Sequence, residues 1–259
     1  MQKNSDRFAQ IEENIYGHRK KLLFLAGELD KEIQTRQVPP SQFKLLDVGC
    51  GNAQAITFPL ASLGYSITGL DNFLPVIEYA KAHNPHPNLD LVCGDIQEMT
   101  GQFDGIIAAD VLEHLDHPES FLKKFAELLK PGGLLLLSVP NGFGPFEIEN
   151  FITEKPLFLL SSIKRKLLKL PPPPWSDLPY NLESGHLQHF TFKRLSQTLE
   201  SFGFKIETVR AGAFWGAYLT DLLFGRFKGF IRWNAEIADK LPIWMVSMWY
   251  LKLHKPSES

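Results

Sequence analysis

Apolar positions along this chain fall into two rhythms. Short, nearly unbroken apolar runs near 44–48, 65–70, 89–93, 104–109 and 133–139 predict strands buried on both faces. Amphipathic stretches near 53–63, 73–83 and 118–130 predict helices between them. Ahead of these, Phe8, Ile11, Ile15, Leu22, Leu25 and Leu29 recur at roughly helical spacing, so 7–36 reads as a helix that ends before Val38-Pro39-Pro40. Alternating strands and helices with short turns predict an α/β fold: a parallel sheet with helices on both faces. Right-handed crossovers would then place the ligand loops at the C-terminal edge of that sheet.

The regular pattern stops after Ser138-Val139-Pro140-Asn141-Gly142. Residues 143–185 read as an insertion, with Leu157 to Leu160, a basic cluster at Lys164, Arg165, Lys166 and Lys169, and Pro171 to Pro174 ahead of Trp175. Thr191 is placed to cap a helix running to about Ser201. Gly203 then ends that helix, and the stretch to Val209 reads as a sixth strand. Residues 213–248 form a long aromatic segment that includes Trp215, Tyr218, Phe224, Phe227, Phe230, Trp233 and Trp244.

Chemistry enters at Leu45-Leu46-Asp47-Val48-Gly49-Cys50-Gly51-Asn52, a strand that ends in a turn with two glycines. Glycines there permit positive φ and close approach of a ligand to the backbone. A helix from Ala53 would turn its first amides toward that ligand. Twenty residues past Gly51 a second strand ends in Gly69-Leu70-Asp71, and an acid there is placed to bind ribose hydroxyls. A dinucleotide site wants G-x-G-x-x-G, but the third glycine position holds Gln54. Asp47 would also repel a pyrophosphate, whereas it suits an α-amino group or a sulfonium. S-adenosylmethionine (SAM) carries both cations and no phosphate.

In order along the chain stand Asp47-Val48-Gly49-Cys50-Gly51, Asp71, Cys93-Gly94-Asp95-Ile96, Phe103 to Leu115, and Leu129-Lys130-Pro131-Gly132-Gly133-Leu134. Over roughly residues 40 to 210 the sequence resembles the class I SAM-dependent methyltransferases, and is similar to ubiquinone-pathway and glycan-associated members. The resemblance implies a Rossmann-like, seven-stranded, mostly parallel sheet. Its antiparallel seventh strand would be Trp249 to Leu253, beside an insertion and an aromatic-rich C-terminal helical segment. It implies that Asp47, Gly49, Cys50 and Gly51 hold the methionine end of the cofactor, Asp71 the ribose, and Asn72 and Phe73 flank the adenosine. Asp95 and Ile96 would meet the adenine, while Ala109, Asp110 and His114 would line the floor near the reactive methyl. His114 and His189 are the catalytic candidates, with His189 expected close to the acceptor as a general base. Related enzymes carry E-x-x-E-H where this chain has Asp110-Val111-Leu112-Glu113-His114, so a divalent metal on Asp110, Glu113 and His114 is a further expectation.

The implied organisation is an N-terminal helical cap (1–38), a cofactor-binding core (39–142 and 186–210), an insertion or lid (143–185), and a C-terminal helical segment with the last strand (211–259). A formal net charge of −2 gives no global basic field for nucleic acid. Cys50 and Cys93 offer no disulfide framework. With no apolar signal-like start and no uncharged run of ~18 residues, the expectation is a cytoplasmic enzyme, peripheral to membrane if the insertion is an interfacial anchor. The expected acceptor is a small or lipid-linked molecule methylated on oxygen. Place 109–112 lacks a D/N-P-P-Y signature, which argues against a base-modifying amino-methyltransferase. Two other classes remain in view: a non-catalytic SAM-binding scaffold, and an NAD-dependent oxidoreductase, which Gln54 and Asp47 disfavour.

Overall fold

The computed structural model describes residues 8–152 and 185–256. Seven strands form one sheet in the order β3-β2-β1-β4-β5-β7-β6. They are β1 (Lys44–Val48), β2 (Ser66–Asp71), β3 (Leu89–Cys93), β4 (Phe103–Ala109), β5 (Leu129–Pro140), β6 (Lys205–Ala211) and β7 (Met248–His254). The first five are mutually parallel, and β7 runs antiparallel to both β5 and β6. This is the expected mostly parallel seven-stranded sheet, with the final strand wedged between the fifth and sixth.

The period-2 alternation of side chains assigns each residue of the central strands to a face. Leu45, Ile107, Leu134 and Leu136 pack with α1 (His18–Arg36), α2 (Thr57–Ala61) and α3 (Leu74–Ala82). Leu46, Ile106, Leu135 and Leu137 pack on the other face with α4 (Pro118–Leu128) and the later helix Phe192–Ser201. Both faces are covered, so these strands read as continuous apolar runs. Residues 145–152 are helical (α5). After them come α6 (Phe192–Ser201), α7 (Tyr218–Phe224) and α8 (Lys228–Ala238). Thr191 caps α6 as expected, its side chain accepting from the Arg194 amide.

Two boundaries differ from expectation. Helix α1 begins at His18 rather than near residue 7, behind Gly17 at φ +75°. Its free amides are met by side chains from the preceding turn: Glu13 accepts from the Arg19 and Lys20 amides (2.9 Å each), and Asn14 from that of His18 (3.1 Å). Phe8 and Ile15 are buried from that irregular stretch, so their helical spacing reflects packing of a loop. Helix α2 begins at Thr57 rather than Ala53, because Ala53 takes φ +65° and extends the turn. Residues Lys164, Arg165, Lys166 and Lys169, Leu157 to Leu160 and Pro171 to Pro174, on which the anchor expectation rests, lie outside the described residues.

Candidate functional site

The parallel strands β1, β2, β3 and β4 all end on one edge, and their loops enclose a cleft of about 860 Å³. Its walls include Asp47, Gly49, Cys50 and Gly51 after β1, Asp71 and Asn72 after β2, Asp95 and Ile96 after β3, and Ala109, Asp110 and His114 after β4. Every residue expected to bind the cofactor is therefore brought to this cleft except Phe73. That ring packs partly buried against the α1–α3 core, and only its backbone serves the site, donating to Asp71 (2.9 Å).

The glycine turn is fixed by geometry that only glycine tolerates. Gly49 sits at φ +69°, and a Cβ there would lie 2.7 Å from Val111 Cγ2. Gly51 also takes positive φ (+54°) and faces open space. Asp71 braces the turn: its carboxylate accepts from the Gly51 amide and the Phe73 amide, each at 2.9 Å. Those two bonds leave lone pairs for ligand hydroxyls, because a carboxylate accepts about four hydrogen bonds. Asp95 accepts from the Gln97 amide (2.9 Å) and so caps the short turn at Ile96–Glu98 while still lining the cleft.

Asp47 is 3% exposed and accepts from Thr57 Oγ1 at 2.7 Å. Burial pushes its carboxyl up to about 7, and nearby Asp71 adds to the shift. A buried carboxyl with one neutral partner is a receptor for a cation, whose arrival would favour the ionised form. The amide nitrogen of Asn52 is buried beside this turn with no partner among the described residues. Burial, reinforced by Asp47 and Asp71, holds the Cys50 thiol far above its ordinary range, which makes it inert. Carboxylates beside an open glycine turn, with an unfilled amide donor, fit an amino-acid–nucleoside cation such as SAM.

A second cavity of about 290 Å³ adjoins the first. Asn14, His18, Lys21 and Asp110 line both. The rest of its wall comes from distant segments: Tyr16, Phe146 and Trp215 supply aromatic faces, and Glu113 and His186 supply polar groups. Glu149 of α5 fixes this wall by accepting from Trp215 Nε1 (2.5 Å), the Thr220 amide (2.7 Å) and Thr220 Oγ1. Asp110, at φ +58°, directs Oδ2 to Lys21 Nζ and Oδ1 to Ser138 Oγ.

The expected general base is placed differently. His189 is half exposed, 4.0 Å from Glu147, and is in the wall of neither cavity. Its backbone is pressed against Gly142, where a Cβ would lie 2.5 Å from His189 Cα. His186 takes the position instead, its Nδ1 2.5 Å from Glu147 Oε1. The Leu187 and Gln188 amides both donate to the Glu113 carbonyl (2.7 and 2.9 Å), and His114 Nδ1 is 3.2 Å from the Gly185 carbonyl. These bonds clamp residues 185–188 against the turn after β4.

The clamp also changes the metal expectation. Glu113, His114 and His186 each place a ligand atom within 4.8 Å of the others. Asp110 is not in that group, because Lys21 and Ser138 take its oxygens. Glu113 is buried, with Oε2 unpartnered, and burial plus the charge of Asp110 holds its carboxyl well above the usual range. A carboxylate with two imidazoles is a donor set that suits a divalent transition metal better than Mg²⁺.

Phe146 comes from the insertion and Trp215 from the aromatic segment, whereas Asn14, His18, Lys21 and His186 carry no motif that would mark them as walls of the same cavity. The backbone clamp onto Glu113 is what selects His186 over His189.

Comparison with known proteins agrees with this geometry. A family of methyltransferase domains matches residues 7–209. A ubiquinone biosynthesis O-methyltransferase of Ruegeria pomeroyi is 33% identical over 122 residues, 45% of this chain and 48% of that protein. The chain spans half or less of the length of the curated relatives it matches. Among solved structures, a SAM-dependent methyltransferase of Listeria monocytogenes superposes with a TM-score of 0.53 at 17% identity, over 90% of this chain and all of that one. Magnesium protoporphyrin IX methyltransferase of Synechocystis, solved with bound S-adenosylhomocysteine, gives 0.51 at 15% identity, over 98% of this chain and 95% of that one. At such identities the likeness speaks for the fold, and the family match covers most of the sequence: the chain belongs to the methyltransferase-domain family and has the fold of the class I SAM-dependent methyltransferases.

Proposed function

We propose that this protein transfers the methyl group of SAM to an oxygen of a small, lipid-like acceptor bearing an aromatic ring. The observation that carries the reading is the junction of the two cavities at Asp110. A cofactor in the cleft would present its methyl toward a chamber walled by Tyr16, Phe146 and Trp215. Oxygen as the nucleophile is supported by the relatives named as ubiquinone biosynthesis O-methyltransferases.

SAM supplies an activated methyl, so the chain's residues need only bind, align and dry the site. Asp47 would take the ammonium and Asp71 the ribose hydroxyls, and Asp95 and Ile96 would hold the base. The aromatic wall would orient the ring for in-line attack. A lipid tail would find the surface next to the chamber: Phe146 lies in the first turn of α5, whose Ile148, Phe151 and Ile152 are exposed, and Glu149 ties α5 to α7, where Leu222 and Leu223 are exposed. An exposed apolar surface of this kind suits contact with lipid or another apolar partner. Among the described residues no helix is long and apolar enough to cross a membrane. We propose a peripheral contact through these exposed side chains.

Incubation with SAM and a catechol should yield S-adenosylhomocysteine and a methyl ether. Binding of SAM without any product from a panel of hydroxylated aromatics and lipid extract would favour the scaffold reading, and binding of NAD in place of SAM would favour the oxidoreductase. A second reading adds a divalent metal on Glu113, His114 and His186, which would polarise the acceptor oxygen. Its support is the ligand spacing, and its check is zinc titration by calorimetry with and without Glu113→Gln.

A further inference from the structure

Lys21 is the least expected residue of the site. Its side chain is only 8% exposed and it lines both cavities. Buried lysines are rare and are found paired. Here the pairing is partial: among the described residues the ammonium donates to Asp110 Oδ2 alone, although it carries three donors. Asp110 in turn divides its carboxylate between Lys21 and Ser138. A desolvated cation with donors to spare, at the meeting of the cofactor cleft and an aromatic chamber, is a receptor for an anionic oxygen. Its surroundings allow that role. His18, one turn earlier on α1, is held below its ordinary range by burial and by Lys21, and so is neutral near pH 7. Burial holds the Tyr250 hydroxyl from β7 well above its ordinary range. Among the described residues Asp110 is the carboxylate paired with Lys21.

We propose that Lys21 is a catalytic residue that binds the acceptor's nucleophilic oxygen and holds it as an oxyanion. The inference rests on the methyltransferase reading and names the residue that activates the acceptor. The hydroxyl proton leaves to solvent as the acceptor binds. An oxygen lone pair then forms the O–CH₃ bond while the S–CH₃ bond breaks, its electrons returning to sulfur, and S-adenosylhomocysteine leaves. Lys21 neutralises the nucleophile before attack and fixes its position at the junction of the two cavities. No histidine base is then required for an acidic phenol, which accords with the outward placement of His189.

The test uses 4-nitrophenol, whose absorption band reports its ionisation, with the full chain saturated by S-adenosylhomocysteine. About one pH unit below the probe's own pKa, wild-type protein should bind it saturably as the yellow phenolate. Lys21→Arg should keep that band. Lys21→Met should lose it and bind the probe about tenfold or more weakly, the loss of one unit of pKa shift, with a smaller change in S-adenosylhomocysteine affinity. The double variant Lys21→Met/Asp110→Asn, which leaves no unpaired buried charge, should behave like Lys21→Met, so misfolding of the single variant does not decide the matter. A phenolate band that survives in Lys21→Met or the double variant overturns the proposal. Binding of the probe as neutral phenol to wild type, or no saturable binding, also overturns it. Equal loss of S-adenosylhomocysteine affinity would make Lys21 a cofactor residue and overturn it as well. Failure of S-adenosylhomocysteine to bind wild type at all strikes the methyltransferase reading itself, which separates the two failures.

Discussion

The cleft and the chamber beside it are built in opposite ways. The cleft is largely local: apart from Asn14, His18 and Lys21, its wall comes from strand ends and the segments that follow them, and its shape comes from backbone constraints such as Gly49 against Val111 and the Asp71 brace on Gly51. The chamber is assembled from distant parts of the chain, including Tyr16, Asp110, Phe146, His186, Trp215 and Met248. Side-chain bonds between remote segments hold it, among them Glu149 to Trp215 and Lys21 to Asp110. Local construction is forced by close backbone approach to a fixed ligand. Remote construction lets acceptor choice vary without disturbing that approach.

The sharpest way to break the comparison is at the glycine turn. Gly49→Ala adds a Cβ that meets Val111 Cγ2 at 2.7 Å, in a conformation that itself costs an L-residue roughly 1–2 kcal/mol. SAM affinity should fall by about a hundredfold. Gly51→Ala, with nothing within 4 Å of the new Cβ, should cost only about tenfold or less, from the same backbone term alone. Equal effects of the two substitutions on SAM titrations would remove the close-approach argument.

At Asp71, loss of charge-assisted bonds worth roughly 1.5–3 kcal/mol should weaken SAM at least tenfold in Asp71→Ala. Part of that loss will come through the unbraced Gly51 turn, so Asp71→Asn should recover some affinity. On the chamber side, Trp215→Ala should raise the acceptor KM by about tenfold, in line with ~1–2 kcal/mol for an aromatic face, and leave SAM affinity within about twofold. A Trp215→Ala enzyme whose SAM affinity falls and whose acceptor KM does not would merge the two regions into one.

A smaller effect concerns pH. Burial pushes the Asp47 carboxyl up to about 7 in the fold, above the ordinary 3.8 of an aspartate. The native state thus holds a proton that the unfolded chain releases first. Between those values the native state binds more protons, so this group's contribution makes stability fall as pH rises from about 4 to 7. The ligand-free Asp47→Asn variant should show a flatter melting temperature over that window than wild type. Parallel profiles would mean that Asp47 is ionised throughout.

Legibility in the sequence follows the same division. The strands at Lys44–Val48 and Leu89–Cys93 and the antiparallel final strand lie where periodicity and resemblance put them: the first is buried on both faces and writes an apolar run, whereas Leu89–Cys93 lies at the sheet edge and buries only Leu89 and Leu91. The helix starts were misjudged where side chains overrode periodicity: Glu13 and Asn14 cap α1 from a turn whose Phe8 and Ile15 are buried like helix residues. Cofactor acids were legible because each sits at a strand end. His186 over His189, and Lys21 altogether, were not, since their placement depends on contacts across much of the chain.

The central claim is that the cleft after β1, β2 and β3 binds SAM as a cationic amino-acid nucleoside. Calorimetric titration of SAM and of NAD into the wild-type chain and Asp71→Ala tests it most directly. The account predicts saturable one-to-one binding of SAM to wild type, at least tenfold weaker binding to Asp71→Ala, and no heat from NAD. Equal SAM affinity in the two proteins, or preference for NAD, would contradict it.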